Sequence, residues 1–394
     1  MKFRILILFT LTAILSSLLR FGERENNLST LSDSDYYLDM ARVFAGQQYK
    51  FNPDFLASAA HHYNRPLLPF LAGKLGRTVL NNNYAAAFSI INILSAILIA
   101  FLFFVIIVSF YPEIKFAWYP SLLFLTAFPQ MDFGYHILTE TIGLAFAIGT
   151  CLFLYILLKR IEERVAVKSG YLFYKDKEYL TGVLVLFAIQ SLSWLARETA
   201  FFAVIFFIYI ALRRKLYRTK YLYPTLIIFL VLVVSKIPHW MYSQLYHTHV
   251  PLMVIKLKVL TDPSYILDFI FKLGLTFNIS WIIIVLSYIF LSKIRLLRIH
   301  DFIVGWTVAA LGYIAAGFVH NSIQSGFPLR MFFSLFPLIY IVVIHFLEYW
   351  ISPRRLNYAL VIFFIFHIAI GITGVLIDSG YNTIHTIFDF HKTF

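Results

Sequence analysis

YAAAFSIINILSAILIAFLFFVIIVSF, residues 84–110, contains no charged side chain. A membrane-spanning helix needs about 20 consecutive apolar residues, so this run is long enough to cross a bilayer. Working outward, further apolar runs fall near 4–20, 116–131, 137–158, 180–196, 199–212, 222–237, 266–291, 301–319, 331–350 and 357–377. Together they predict an all-α polytopic membrane protein with about eleven transmembrane helices. Composition points the same way: 60% of the 394 residues are hydrophobic and 13% are charged, against about 25% charged in soluble domains. Several of these runs are short, and the pair around Arg197 reads as a broken or re-entrant arrangement.

Lys2 and Arg4 followed by apolar residues to Leu19 resemble a secretory signal. No small-x-small cleavage site follows before Arg20, so the segment reads as a retained first span. No Gly/Ser- or Pro-rich linker and no internal repeat divides the chain, and residues 1–394 read as a single integral membrane domain. Cys151 is alone within an apolar run, which excludes an intrachain disulfide and a cysteine-based zinc site.

The net charge of +13 would suit nucleic acid, but its distribution argues against that partner. Lys159, Arg160, Arg164 and Lys168, then Arg213, Arg214, Lys215, Arg218 and Lys220, then Lys293, Arg295 and Arg298, and finally Arg354 and Arg355 all fall in short loops on one side. Positive charge in short loops marks the cytoplasmic side. The N-terminus is therefore expected inside, in what reads as the cytoplasmic (inner) membrane of a bacterium.

Two outer, periplasmic segments are then large: residues 21–83 and residues 238–265. In the first, Ser32 with Asp35 forms a capping-box-like helix start. Tyr36, Tyr37, Met40, Val43 and Phe44 follow a helical apolar stripe, with Asp35, Asp39 and Arg42 on the other face and Gly46 as the stop. This predicts an amphipathic helix on the membrane surface. Asn64-Arg65-Pro66 reads as the start of a second one, running on through Leu75.

Few ionisable residues are placed for chemistry. Asp33 and Asp35 sit at the mouth of the first surface helix; they either complement its dipole or supply a general base or a metal ligand. Glu140 lies at the outer end of an apolar run, where a charge is costly without a partner. Asp132, in the same outer loop, reads as a solvated acid. Arg197-Glu198 interrupts the apolar stretch 180–212, as a self-neutralised loop pair or as an arginine for phosphate beside a glutamate for a sugar hydroxyl. Arg330, the one basic residue of its outer loop, is a snorkelling arginine or a fork for a phosphate oxyanion, with His320 and Asn321 across the loop. Lys256 and Lys258 put positive charge in the second outer segment, suited to a lipid phosphate or to anionic head groups. His61-His62 lacks a matched third ligand and reads as solvated.

The run Asp33-Ser34-Asp35-Tyr36-Tyr37-Leu38-Asp39-Met40-Ala41, then Gly46, then Arg65-Pro66-Leu67-Leu68-Pro69, resembles the Asp-x-x-x-Tyr-x-x-x-Ala…Gly…Pro-Leu-x-Pro pattern of bacterial GT-C membrane glycosyltransferases. Thr139-Glu140 and Arg330…Phe336-Pro337 are similar to further elements of that class, although Met331 and Phe332 stand where a tyrosine follows the arginine. The resemblance implies a polyprenyl-phosphate-linked sugar donor, a glycan, lipid or protein acceptor, and inverting transfer. Asp33, with Asp35 and Glu140, would be catalytic; Arg330, Arg197 and Lys256 would hold the donor phosphate; Arg65, Glu198 and His320 would bind substrate. A divalent metal stays open. Two other readings compete: a polymerase of lipid-linked repeat units, and a transporter or flippase, against which the crowding of candidates at the outer boundary argues.

Overall fold

A computed structural model of the chain describes residues 2–18, 32–47, 64–135, 137, 139–167, 173–245, 270, 274–289, 299–319 and 331–378. Among them every regular element is helical and no strand occurs. The N-terminal helix α1 (Lys2–Leu18) is followed by two helices that stand outside the long-helix bundle, α2 (Ser32–Phe44) and α3 (Leu67–Val79). Then come α4 (Tyr84–Phe110), the short α5 (Tyr119–Leu125), α6 (Glu140–Val167), α7 (Lys177–Ala196) and α8 (Phe201–Arg213). The remainder comprises α9 (Thr219–Val234), α10 (Ile237–Leu245), α11 (Ser280–Ile289), α12 (Asp301–Val319), α13 (Phe336–Trp350) and α14 (Pro353–Asp378).

Six helices among the described residues are long and apolar enough to cross a membrane: Tyr84–Phe110, Glu140–Ala166, Lys177–Ala196, Thr219–Gln244, Phe333–Trp350 and Pro353–Val375. The chain is thus a helical membrane protein; six of the eleven apolar runs give such helices among the described residues, and the run 266–291 lies partly outside them. The run 116–131 shows why the two counts differ. Its regular helix is the seven-residue α5, every residue of which is buried, and a π-helix, Gln130–Gly134, follows. Pro120 starts α5, and its last turn is capped by side chains instead of being prolonged. Thr126 Oγ1 donates to the Leu122 carbonyl (2.8 Å), His367 Nε2 on α14 to that of Leu123 (3.0 Å), and the Tyr135 hydroxyl to that of Leu125 (3.1 Å). Irregular backbone survives at such depth only where protein satisfies its polar groups. Hydropathy registered the burial of this run but not its interruption.

The run 199–212 forms α8, 13 residues long, about 20 Å at 1.5 Å per residue and short of the roughly 30 Å hydrocarbon core. The helical stretch from Thr219 runs to Gln244, through the Ser235-Lys236 turn, so the first residues of the segment 238–265 continue a helix; residues 246–269 lie outside the described set.

One end of the bundle collects the basic segments. Arg214 pairs with Glu162 at 2.8 Å and lies over the Tyr155 ring, while His300 stacks on Phe110 and its backbone N–H donates to the Tyr111 hydroxyl. At the same end, Glu348 accepts from the backbone N–H groups of Lys115 and Phe116. The opposite end is covered by α2 and α3. As predicted, α2 begins at Ser32 and stops at Gly46, whose N–H reaches the Val43 carbonyl while that of Gln47 reaches Arg42. Its apolar side is occupied by protein: Tyr37, Met40 and Ala41 join Leu68 and Ala72 of α3 and Phe88 of α4 in a core separate from the main one. Asp39, on the other side, is nearly buried and pairs with Arg42 at 2.9 Å.

Contact between α2 and α3 is close enough to dictate a residue. A Cβ on Gly73 would come within 2.4 Å of the Ala41 carbonyl oxygen, so any side chain there pushes the two helices apart. Gly73→Ala is therefore expected to cost about 1–3 kcal/mol, the usual range for overpacking. Thermal unfolding in detergent would show it as a lowered midpoint; a wild-type midpoint would mean that α2 does not seat on α3 in this way.

Candidate functional site

The helix caps decide where charge gathers. Apolar α7 ends at Ala196 and α8 begins at Phe201, leaving a four-residue link in which Arg197 is fully extended and Glu198–Ala200 make one 3-10 turn. The link turns the chain back at the end covered by α2 and α3, next to the first turn of α6. A Cβ on Gly143 of α6 would lie 2.7 Å from the Arg197 Cβ and 2.9 Å from the Thr199 hydroxyl. Glycine there lets the link lie directly against α6.

Arg197 is 2% exposed. Its Nη1 donates to the Thr139 hydroxyl at 3.0 Å and pairs with Glu140 Oε1 at 2.8 Å. Its Nε faces Glu198 Oε2 at a looser 3.9 Å. Arg65, just ahead of α3, completes the chain of contacts. Both its Nε and Nη2 lie 3.0 Å from Glu198 Oε1, and its Nη1 donates to the Tyr37 hydroxyl at 2.9 Å. That hydroxyl is 3.5 Å from Thr139 Oγ1, which closes the circuit. From α10, His239 Nε2 donates to the Asn64 carbonyl at 2.9 Å and Ser243 faces the Asn64 side chain, holding the entry to α3.

Four of the nine residues proposed from the sequence are therefore brought together: Arg65, Glu140, Arg197 and Glu198. They come from three separated stretches of chain. The side chains of Asp33 and Asp35 lie outside the described residues, although both positions fall in the first turn of α2, one turn before Tyr37. Lys256, His320 and Arg330 also lie outside them. Two participants were not singled out for chemistry. The sequence places Tyr37 on an apolar stripe and Thr139 only within an element of the resemblance; a phenol one turn beyond Asp33 is the available signal for Tyr37. Asp132 corrects the expectation of a solvated acid, being 1% exposed within the π-helix.

Burial opposes the charge on both arginines of this circuit, and the pairing overrides it. Loss of water would lower Arg65, but Glu198 together with Tyr37 and Glu140 outweighs it and holds the guanidinium well above its ordinary range. Arg197 is raised in the same sense, with Glu140 as its main carboxylate. For Glu198, which is half exposed, the partial loss of water would raise the carboxyl, but Arg65 and then Arg197 bring it down to about 2. All three groups are ionised at neutral pH.

Arg197 and Glu140 also form the wall of a cleft enclosing about 480 Å3, part of it open space. Gln130, Thr199, Tyr313, Phe333 and Ser334 also line it. The Thr199 hydroxyl is buried and has no hydrogen-bond partner among the described residues. Gln130 and Gly134 come from the π-helix, and the Thr141 hydroxyl donates to the Gly134 carbonyl at 2.6 Å, which keeps that turn against α6. Chemically, the arrangement presents buried guanidinium groups and hydroxyls, which suits an oxyanion. Among the described residues no group of three or more histidine, cysteine or carboxylate side chains is gathered as a metal would require. Comparison of the chain with protein-family models, with curated proteins and with solved structures gave no match.

The depressed carboxyl of Glu198 sets a pH dependence. Its contribution to stability is complete above the ordinary value of 4.5 and is lost as pH falls toward about 2. In detergent, the thermal midpoint of the wild type should fall more steeply between those pH values than that of Glu198→Gln. Parallel curves would mean that Glu198 is not held by the arginines in solution.

Proposed function

We propose that this chain is a membrane glycosyltransferase of the GT-C type, moving a sugar from a polyprenyl-phosphate donor to an acceptor hydroxyl at the outer face of a bacterial cytoplasmic membrane. One observation carries the reading: Arg65, Arg197, Glu140, Glu198 and Tyr37 meet at the bundle end remote from the basic segments. That end is covered by α2, the helix whose first turn bears Asp33.

The chemistry follows from what each group offers. The acceptor oxygen attacks the anomeric carbon while the bond from that carbon to the phosphate oxygen breaks, inverting the centre. The acceptor proton passes to a carboxylate, for which Asp33 is the candidate, with Asp35 beside it on α2. Glu198 is a poor base, because two guanidiniums hold its carboxyl at about 2. Glu140 is committed to Arg197 through one oxygen and is better suited to orienting that guanidinium than to accepting a proton. The departing polyprenyl phosphate gains charge, which Arg197 and Arg330 offset, with Lys256 as a further cation. Phe333 and Ser334, at the start of the segment that Arg330 precedes, line the cleft walled by Arg197. A cleft among membrane helices suits a donor whose tail stays in lipid.

Sugar transfer from a radiolabelled polyprenyl-phosphate sugar by purified protein tests the assignment. Asp33→Asn should lower turnover by about 100-fold or more, as loss of a general base does, with donor binding intact. Arg330→Ala should weaken donor binding. Transfer at the wild-type rate by Asp33→Asn would remove that residue from the mechanism, and unchanged affinity in Arg330→Ala would move the phosphate elsewhere.

A further inference from the structure

The four charges of the circuit are unequally protected. Arg197 is 2% exposed, Arg65 11% and Glu140 13%, whereas Glu198 is 53% exposed. Two guanidiniums and one carboxylate are thus sunk into the protein, and the second carboxylate lies over them from the water side. Glu198 sits on a single 3-10 turn between α7 and α8, so its side chain can rotate outward without displacing either helix. Its two oxygens are shared between two cations: Oε1 on Arg65 at 3.0 Å, and Oε2 toward Arg197 at 3.9 Å. That is the pattern in which a tetrahedral oxyanion bridges a pair of guanidinium forks.

Charge balance points the same way. Arg65 and Arg197 are matched by Glu140 and Glu198, so the circuit is neutral as it stands. Removing Glu198 leaves one buried positive charge in excess, which is costly unless another anion replaces it.

We propose that Glu198 is a displaceable counter-ion, its carboxylate occupying the place between Arg65 and Arg197 that a phosphate ester takes when the lipid-linked donor binds. The inference rests on the reading of the site as one for a polyprenyl-phosphate donor, and it adds how the empty site stays neutral. Binding exchanges one anion for another over the same two cations. Glu198 turns toward water, where a carboxylate is well solvated, and the buried guanidiniums are never left uncompensated. Glu198 thereby lowers donor affinity and speeds release of the polyprenyl phosphate product.

Equilibrium binding to the purified full-length protein in nanodiscs tests this without any sugar transfer. Polyprenyl phosphate is one probe and inorganic phosphate the other, with wild type, Glu198→Gln, Glu198→Asp and the double variant Arg65→Ala/Glu198→Gln. Glu198→Gln should bind polyprenyl phosphate about tenfold more tightly, as expected when a competing charge-assisted contact is removed. Glu198→Asp, which keeps the charge on a shorter arm, should fall between it and wild type. The double variant should lose the gain. An equal gain for inorganic phosphate would assign recognition to the oxyanion alone, and a gain confined to the lipid probe would add the tail; both support the exchange.

Unchanged or weaker binding of both probes by Glu198→Gln would overturn it and make the pair a structural tie, as would a gain that persists without Arg65. The two proposals fail separately. Tighter binding by Glu198→Gln in a protein that never transfers sugar would sink the transferase and spare the counter-ion. Sugar transfer with affinity insensitive to Glu198 would do the reverse.

Discussion

A guanidinium that is 2% exposed has no place in a helical membrane protein without partners, and the arrangement around Arg197 is best understood from that constraint. Breaking a buried ion pair costs about 3–5 kcal/mol, so the groups that face Arg197 are held as firmly as it is. Glu140 and Thr139 tie it to the start of α6, and Glu198 ties it through Arg65 to the start of α3. Arg65 in turn reaches Tyr37 on α2. Elements that share little sequence proximity are thereby locked at one end of the bundle. Apolar packing supplies most of the cohesion elsewhere, but it is non-directional. The ionic circuit gives this end its register.

That end differs from the other in the kind of charge it holds. At the basic end, Arg214 and Glu162 pair near the surface beside stacked aromatic rings, and neighbouring lysines and arginines stay exposed. At the α2–α3 end, Arg197 and Arg65 are sunk into the protein. Exposed cations orient a chain in a membrane and attract anionic head groups. Buried cations, balanced by carboxylates and bordering a cleft, are an expense that a purely structural loop does not require. The interrupted segment from α5 through the π-helix supplies the other cleft wall, and its capped carbonyls show how irregular backbone is sustained there. Helix interruptions with side-chain caps place polar groups at depth where a continuous helix would present only apolar ones.

Much of the local structure was legible in the amino-acid order, because it depends on neighbours along the chain. The bounds of α2, its stop at Gly46, the start of the next helix near Pro66 and the break at Arg197-Glu198 follow from capping and periodicity. So does the helical membrane class, since apolar runs of this length have few other solutions. The isolation of Glu140 and Arg197 among apolar residues marked each as needing a partner, without saying which. Tertiary structure decided the pairings. Arg65 meets Glu198 across 133 positions of sequence, and nothing local to either residue encodes the other. It also decided that residues 116–131 fold as an interrupted segment and that Asp132 is buried. The physical reason is the same in each case. Hydropathy and helical period are sums over neighbours in the chain and read alike whether an apolar face meets lipid or protein, whereas ion pairs, caps and clefts depend on which helices lie side by side.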